Sequence, residues 1–244
     1  MSLLSLQSVT KSYWRGPREL RVLREASLEV AAGSLVSIYG QRSSGKTTLL
    51  RIAAGFQPPT DGLVSFEGSH FAALSTGELA RVHRERIGWI DRAGPHAPEL
   101  TVGRYVELPL YRDLGPRQSR RRALAALAAR GVEDLADQRW ADLSDAARVL
   151  CAIAEAMVRR PRLLVADDPT AGLGIADREH VCAILRSLAE DDGLAVLMAV
   201  PDMPAMLQAH EMRLLSRGRL VAPARPARDS DATVLDFPGG LRSA

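Results

Sequence analysis

One nine-residue stretch constrains this chain more than any other: Gly40-Gln41-Arg42-Ser43-Ser44-Gly45-Lys46-Thr47-Thr48. It satisfies the phosphate-loop pattern G-x-x-x-x-G-K-[ST] without departure. An apolar run, Leu35-Val36-Ser37-Ile38-Tyr39, precedes it and reads as a buried strand, and Thr47 to Ala54 reads as a helix. A strand, a glycine-rich turn and a helix N-terminus together aim amide hydrogens and the positive end of a helix dipole at one anion. In that setting Lys46 is placed for the β- and γ-phosphates of a nucleotide and the Thr47 hydroxyl for Mg²⁺. Composition supports the reading. The chain holds only two lysines, Lys11 and Lys46, and arginine supplies nearly all other positive charge. A lysine inside the loop therefore points to a need for a compact ammonium there.

A phosphate loop needs a carboxylate at the end of a neighbouring strand to orient the metal. Leu163-Leu164-Val165-Ala166-Asp167-Asp168 supplies one. Asp167 closes an apolar strand, where a buried carboxylate is costly without a cation or donors. The remaining pattern is that of an α/β protein. Leu3 to Thr10 and Val22 to Val30 alternate as antiparallel strands, with Tyr13 and Trp14 expected in the loop between them. Ser75-Thr76-Gly77-Glu78 reads as a capping box and Ile87–Ile90 as a buried strand. A helical region is expected over about 94–160, including a helix started by Pro116 and another N-capped by Ser144. A helix over Asp177–Ala189, a strand over Leu194–Val200 and a hairpin over Glu211–Val221 complete it.

With 244 residues and 46% hydrophobic composition, the chain is expected to form one large domain over 1–222, followed by a loosely ordered tail over 223–244. No run is long and apolar enough for a membrane span, and Met1 to Thr10 alternates rather than resembling a signal peptide. Cys151 and Cys182 fall in helical patterns and read as small buried hydrophobes. The five histidines lack metal-ligand spacing. A net charge of +3 is too small to argue for nucleic acid, and no nucleic-acid partner is expected. The arginines Arg117, Arg120, Arg121 and Arg122 read as a solvated helix face, with an anion or lipid-headgroup role as the alternative.

From these residues the chain resembles the ATP-binding-cassette (ABC) ATPases over nearly its whole length, and most of all the subunits that power lipoprotein release and macrolide export. Leu143 to Gly174 follows the family's signature-helix, Walker-B and D-loop segment without a gap, and Ile87–Ile90 matches the strand before the Q-loop. Leu100–Val102 and Val106–Leu110 are similar to the segment near the docking surface for a membrane subunit, and Val9-Thr10-Lys11-Ser12-Tyr13 to the adenine-stacking A-loop. The resemblance implies a P-loop NTPase ABC cassette: a RecA-like core, an antiparallel β-subdomain and a helical subdomain. It implies ATP and Mg²⁺ as ligands, with Tyr13 on the adenine; read on its own, Tyr13 is also consistent with an exposed loop aromatic. It further implies membrane permease subunits and a second ABC ATPase subunit as partners, and a cytoplasmic location on the inner face of the cell membrane.

The departures from the family pattern concern sensing and cleavage of the γ-phosphate. The signature L-S-G-G-Q stands here as Leu143-Ser144-Asp145-Ala146-Ala147, which adds a methyl group and a carboxylate where glycines permit close backbone approach to an anion. The catalytic glutamate is replaced by Asp168, which withdraws the base by about one methylene, and a displacement near ~1 Å can cost ~100-fold. The Q-loop glutamine aligns with Arg92, the switch histidine with Pro201 and the D-loop aspartate with Gly174. A guanidinium at Arg92 fits contact with a γ-phosphate, or else a nearby carboxylate or solvent. The expected function is a nucleotide-binding subunit with weak or absent hydrolysis, paired as a heterodimer rather than a homodimer. A slow homodimeric ATPase and a nucleotide-gated regulator outside transport are the alternatives.

Overall fold

The computed structural model describes residues 2–90 and 99–222. Arg92 and the tail over 223–244 lie outside the described residues. A six-stranded sheet organises the chain. It contains β3 (Leu35–Tyr39), β6 (Ile87–Ile90), β7 (Leu163–Asp167), β8 (Ala195–Val200), β9 (Glu211–Ser216) and β10 (Arg219–Val221), in the order β10-β9-β3-β8-β7-β6. All neighbours are parallel except the β9–β10 hairpin. Strands β3, β7 and β8 are buried on both faces, as the unbroken apolar runs of parallel strands require. The single buried polar side chain of β3, Ser37, donates its hydroxyl to the Met206 carbonyl at 3.1 Å.

Two cores form on the two faces of this sheet. On one side Val36, Ile38, Val165 and Leu197 pack against α1 (Lys46–Ala53) through Leu49, Leu50 and Ile52. That same core reaches the antiparallel sheet β2-β1-β4-β5, built from β1 (Ser2–Arg15), β2 (Arg18–Ala31), β4 (Asp61–Phe66) and β5 (Ser69–His70). On the other side Leu35, Leu164, Val196 and Met198 pack with α3 (Val102–Glu107), α4 (Pro116–Ala128), α5 (Asp145–Met157) and α6 (Ile175–Glu190). Strands β6 and β7 are hydrogen-bonded neighbours, with Ile87 opposite Leu163, so the chain between them leaves the sheet and returns beside its point of departure. That excursion carries α3, α4 and α5, in the region read as helical.

Most local signals translate directly. Ser75 and Glu78 make the reciprocal capping box that opens α2 (Thr76–Arg86). Cys151 and Cys182 are buried free thiols, and burial pushes them up to about 12 and about 11. One expectation is corrected. Tyr13 and Trp14 do not sit in a loop: β1 continues to Arg15, with Tyr13 opposite Leu20 and Trp14 opposite Glu19. The reversal is confined to Gly16-Pro17, where Gly16 adopts φ +59°. Register shifts along the β1–β2 pair, with Ser8 and Glu25 at φ +49°, break the alternation that would have revealed the long hairpin.

The arginine run on α4 divides by partner. Arg120 reaches the buried carboxylate of Glu107 on α3 at 3.3 Å and Asp137 at 2.8 Å. It packs so closely over Gly103 that a Cβ there would collide with its guanidinium. Tyr111 donates to the other Glu107 oxygen at 2.7 Å. Replacing Arg120 strips a partner from a buried charge, so Arg120→Ala should lower unfolding stability by ~1–3 kcal/mol in urea titrations. Arg121→Ala on the exposed face should stay within about 0.5 kcal/mol of the parent.

Candidate functional site

The phosphate loop is shaped by backbone before any ligand is considered. Strand β3 delivers the chain to Gly40, where an added Cβ would lie 2.6 Å from the Ser44 hydroxyl and 2.7 Å from the Leu215 carbonyl. Ser43 turns the chain at φ +63°. Gly45 follows at φ +105°, with Val22 2.9 Å from where a Cβ would stand. Both glycine positions are therefore closed to larger residues. Helix α1 then starts at Lys46 with no side-chain cap and no acidic residue in its first turn. Its leading amides and dipole are left facing the loop. Lys46 is 8% exposed, and its ammonium donates to the Gly40 carbonyl at 2.8 Å and to Gln41 at 3.4 Å.

The sheet order brings the second half of the site alongside. Strand β8 separates β3 from β7, and all three end at the same edge. Asp167 closes β7 opposite Ala199, and Asp168 follows in a left-handed conformation at φ +51° with its amide on the Ala199 carbonyl at 3.0 Å. Pro201 follows β8. A cleft of about 700 Å³ results, lined by Gly40, Ser43, Ser44, Gly45, Lys46, Thr47, Thr48, Asp168 and Pro201. Beside it, burial pushes the Asp167 carboxyl above the usual range and the Asp168 charge adds to this, while the Thr47 hydroxyl, Lys46 and Arg51 oppose it. The Asp167 Oδ1 is buried and accepts no hydrogen bond from the described residues, and the Ser44 Oγ in the cradle is likewise without a partner. A hydroxyl beside a buried, under-satisfied carboxylate is the donor set that Mg²⁺ takes in phosphate sites, so the residues present fit that ion.

Other expected site residues lie apart from the cleft. Tyr13 is 38% exposed, accepts from the Gln57 amide at 2.8 Å and has the Lys11 ammonium 5.6 Å from its ring centre. Ser144 does cap α5, accepting from the Ala147 amide at 3.2 Å, and Asp145 beside it pairs with Arg148 at 3.2 Å. Gly174 precedes α6 with open space around it, so a side chain there would meet no obstacle. Three cleft residues went unread in the sequence. Val22 arrives from β2 and Ala171 from the turn after Asp168, and neither carries chemistry that a pattern could flag. Arg42 occupies an unconstrained position of the motif.

With this geometry in view, comparison with known proteins is decisive: the family described as ABC transporter matches residues 23–171. The chain belongs to the ABC transporter family. It is 31% identical to the uncharacterized ABC transporter ATP-binding protein YvrO of Bacillus subtilis over 224 residues, covering 91% of this chain and 97% of that protein. It is 32% identical to the macrolide export ATP-binding/permease protein MacB of Burkholderia pseudomallei over 242 residues, covering 98% of this chain and 37% of MacB. The chain thus spans little more than a third of the length of that relative. Among solved structures it resembles the dimeric ATP-binding cassette MJ0796 in a post-hydrolysis state bound to ADP and Pi, with a TM-score of 0.82, 30% identity and coverage of 89% of this chain and 96% of MJ0796. The P-loop ABC cassette fold, with its parallel core and antiparallel sheet, stands as expected from the sequence.

The raised Asp167 carboxyl gives a signed test. A folded-state value above the unfolded one means that ionisation costs stability as pH rises past the ordinary carboxylate range. Asp167→Asn should therefore raise the thermal midpoint of the nucleotide-free protein at neutral pH, with the difference vanishing below that range, where both side chains are neutral. The same variant should lose the Mg²⁺-dependent part of any stabilisation by ATP. Melting curves across pH, with and without Mg-ATP, check both halves.

Proposed function

We propose that this cassette is the nucleotide-binding subunit of an ABC transporter complex, holding Mg-ATP to drive or regulate a membrane permease while hydrolysing it weakly or not at all. The observation that carries this is the contrast within one cleft: the Gly40–Thr48 cradle is intact, while Asp168 and Pro201 line the same space. In this reading Lys46 and the leading amides of α1 bind the phosphates. Thr47 and Asp167 hold Mg²⁺, which supplies charge neutralisation of the phosphate oxygens when bound. The half-exposed Tyr13 ring stacks on the adenine. Arg92 and Ser144 are the remaining nucleotide contacts, Ser144 across a dimer interface with a partner's nucleotide.

Asp168 is the weak candidate for the general base, since a carboxylate remains but on a shorter arm. Pro201 has no side-chain donor to offer a terminal phosphate. Asp145 brings a negative charge to the helix end that would approach the partner's nucleotide, and a carboxylate beside a triphosphate opposes closure. These features support pairing with a second, more competent ATPase subunit over a homodimer. No helix among the described residues is long and apolar enough to cross a membrane, and YvrO, of which the chain covers 97%, carries the name of an ABC transporter ATP-binding protein. As the nucleotide-binding partner of a permease, the cassette takes the cytoplasmic face of the cell membrane as its place, with residues 1–222 acting as one cassette and about 94–160 as its helical part. Because Asp168 does line the cleft, slow turnover by a homodimer is the second reading.

Binding and turnover separate the readings in purified protein. ATP with Mg²⁺ should raise the melting midpoint, and Lys46→Ala should abolish the rise. Phosphate release should run about 100-fold or more below that of an intact cassette measured in parallel. Ordinary turnover that disappears in Lys46→Ala would overturn weak hydrolysis, and failure of the wild-type chain to bind ATP with Mg²⁺ would overturn the nucleotide-binding reading altogether.

A further inference from the structure

A second cleft lies at the opposite end of β7 and β8 from the phosphate loop. Its volume is about 560 Å³, and it is bounded by the C-terminal half of α4, the turn after α5 and the residues entering β7 and β8. Strand β7 spans five residues, and at ~3.3 Å per residue the two ends of the sheet are separated by roughly 16 Å. An occupant here would not share the nucleotide cradle.

The charge lining this cleft is one-sided. Arg122, Arg130, Arg160 and Arg162 contribute four guanidiniums against the single carboxylate of Asp192. The excess equals the net charge of the entire chain, +3. Several neighbouring arginines are matched: Arg120 takes Glu107 and Asp137, Arg139 takes Glu99 and Asp142, and Arg159 takes Asp113. Arg122, Arg130 and Arg160 make no ion pair with any described residue, and Arg162 reaches only Glu67 at 3.9 Å. The most telling group is Arg130. Its Nε is buried without a hydrogen-bond partner among the described residues, as are those of Arg84, Arg159 and Arg178, but those three reach a carboxylate through another nitrogen and Arg130 does not. Burial disfavours its charged form, and Asp192 offsets this only in part. A half-desolvated guanidinium without a paired oxygen is an incomplete arrangement, because guanidinium donors are stabilised when oxyanions meet their fork. Met157, Val158 and Leu194 line the cleft together with the arginines, so the guanidiniums share it with apolar side chains.

We propose that this cleft is a binding site for a phosphate-bearing anion, separate from the nucleotide site and recognised by Arg122, Arg130 and Arg160. The recognised group is a phosphate oxyanion, carried either by a small soluble molecule or by an anionic lipid headgroup. Bound there, it bridges α4 to the strands that carry Asp167 and Pro201 at their far ends. The proposal does not depend on whether the chain hydrolyses ATP.

Direct binding tests it. Inorganic pyrophosphate serves as the soluble probe, and vesicles of phosphatidylcholine with one part in five phosphatidylglycerol serve as the lipid probe, against phosphatidylcholine alone. All measurements use the Lys46→Ala chain, which weakens anion binding at the phosphate loop, and the two charge-matched pairs below separate any binding that remains there from binding in this cleft. At least one probe should bind, and Arg122→Gln with Arg160→Gln should weaken it by tenfold or more. The matched pair Arg117→Gln with Arg121→Gln removes the same charge from α4 and should change binding less than twofold. Arg130→Gln should also abolish binding while leaving melting of the probe-free protein unchanged or raised, since it removes a poorly solvated charge. Pyrophosphate binding without vesicle binding assigns a soluble ligand, and the reverse assigns a headgroup. Binding of neither probe, or equal losses in the two charge-matched pairs, overturns the site. Because Arg122 and Arg160 reach solvent, their variant reports even if Arg130→Gln fails to fold.

Discussion

The ammonium of Lys46, buried between the carbonyls of Gly40 and Gln41, is the interaction around which the site is arranged. It closes the loop on itself at the point where β3 becomes α1. It is possible only because Ser43 and Gly45 accept left-handed backbone and Gly40 has no side chain to strike Ser44. A charge this deep is tolerated because polar oxygens surround it and a cleft opens beside it. The helix start, the strand end and the edge of the parallel sheet are thereby held in one register. Every other site residue takes its place relative to that register.

Retention and loss are distributed unevenly across the resulting cleft. The groups proposed to hold phosphate and metal come from the loop and from the last residue of β7, which pairs with Ala199 of β8. Asp168 and Pro201, the departures read from the sequence, are the first residues beyond β7 and β8, where side-chain identity does not decide the strand pairing; the Asp168 amide still reaches the Ala199 carbonyl at 3.0 Å. A substitution there leaves the sheet intact. The fold itself persists at 30% identity to MJ0796, with a TM-score of 0.82, and fold alone does not fix the chemistry at its edge. Asp167 shows the other side of this division, since its burial carries a cost that only a cation or donor relieves.

Arginine does two kinds of work in this chain. Arg120 completes a buried network on Glu107 and ties α3 to α4, whereas Arg122, two positions along the same helix, turns away from that network toward an unmatched basic cleft. Successive helix positions about 100° apart explain how one run of arginines serves two faces. The spacing alone reads as a single solvated surface, and only the packing of α4 against α3 and α5 separates the roles.

Sequence by itself determined the phosphate loop, its flanking strand and helix, the carboxylates of β7, the Ser75 and Ser144 caps and the apolar core strands. Each depends on residues within one short window or on an unbroken apolar run. The extent of the β1–β2 hairpin was hidden, because bulges at Ser8 and Glu25 scramble a period-two pattern without ending the strand. Tertiary structure alone decided that Val22 and Ala171 wall the cleft, that Glu107 meets Arg120, and that the Nε of half-buried Arg130 is left without a hydrogen-bond partner among the described residues. The physical reason is that burial and charge pairing arise between segments distant in the chain, and no local pattern records which side chain will be brought opposite which.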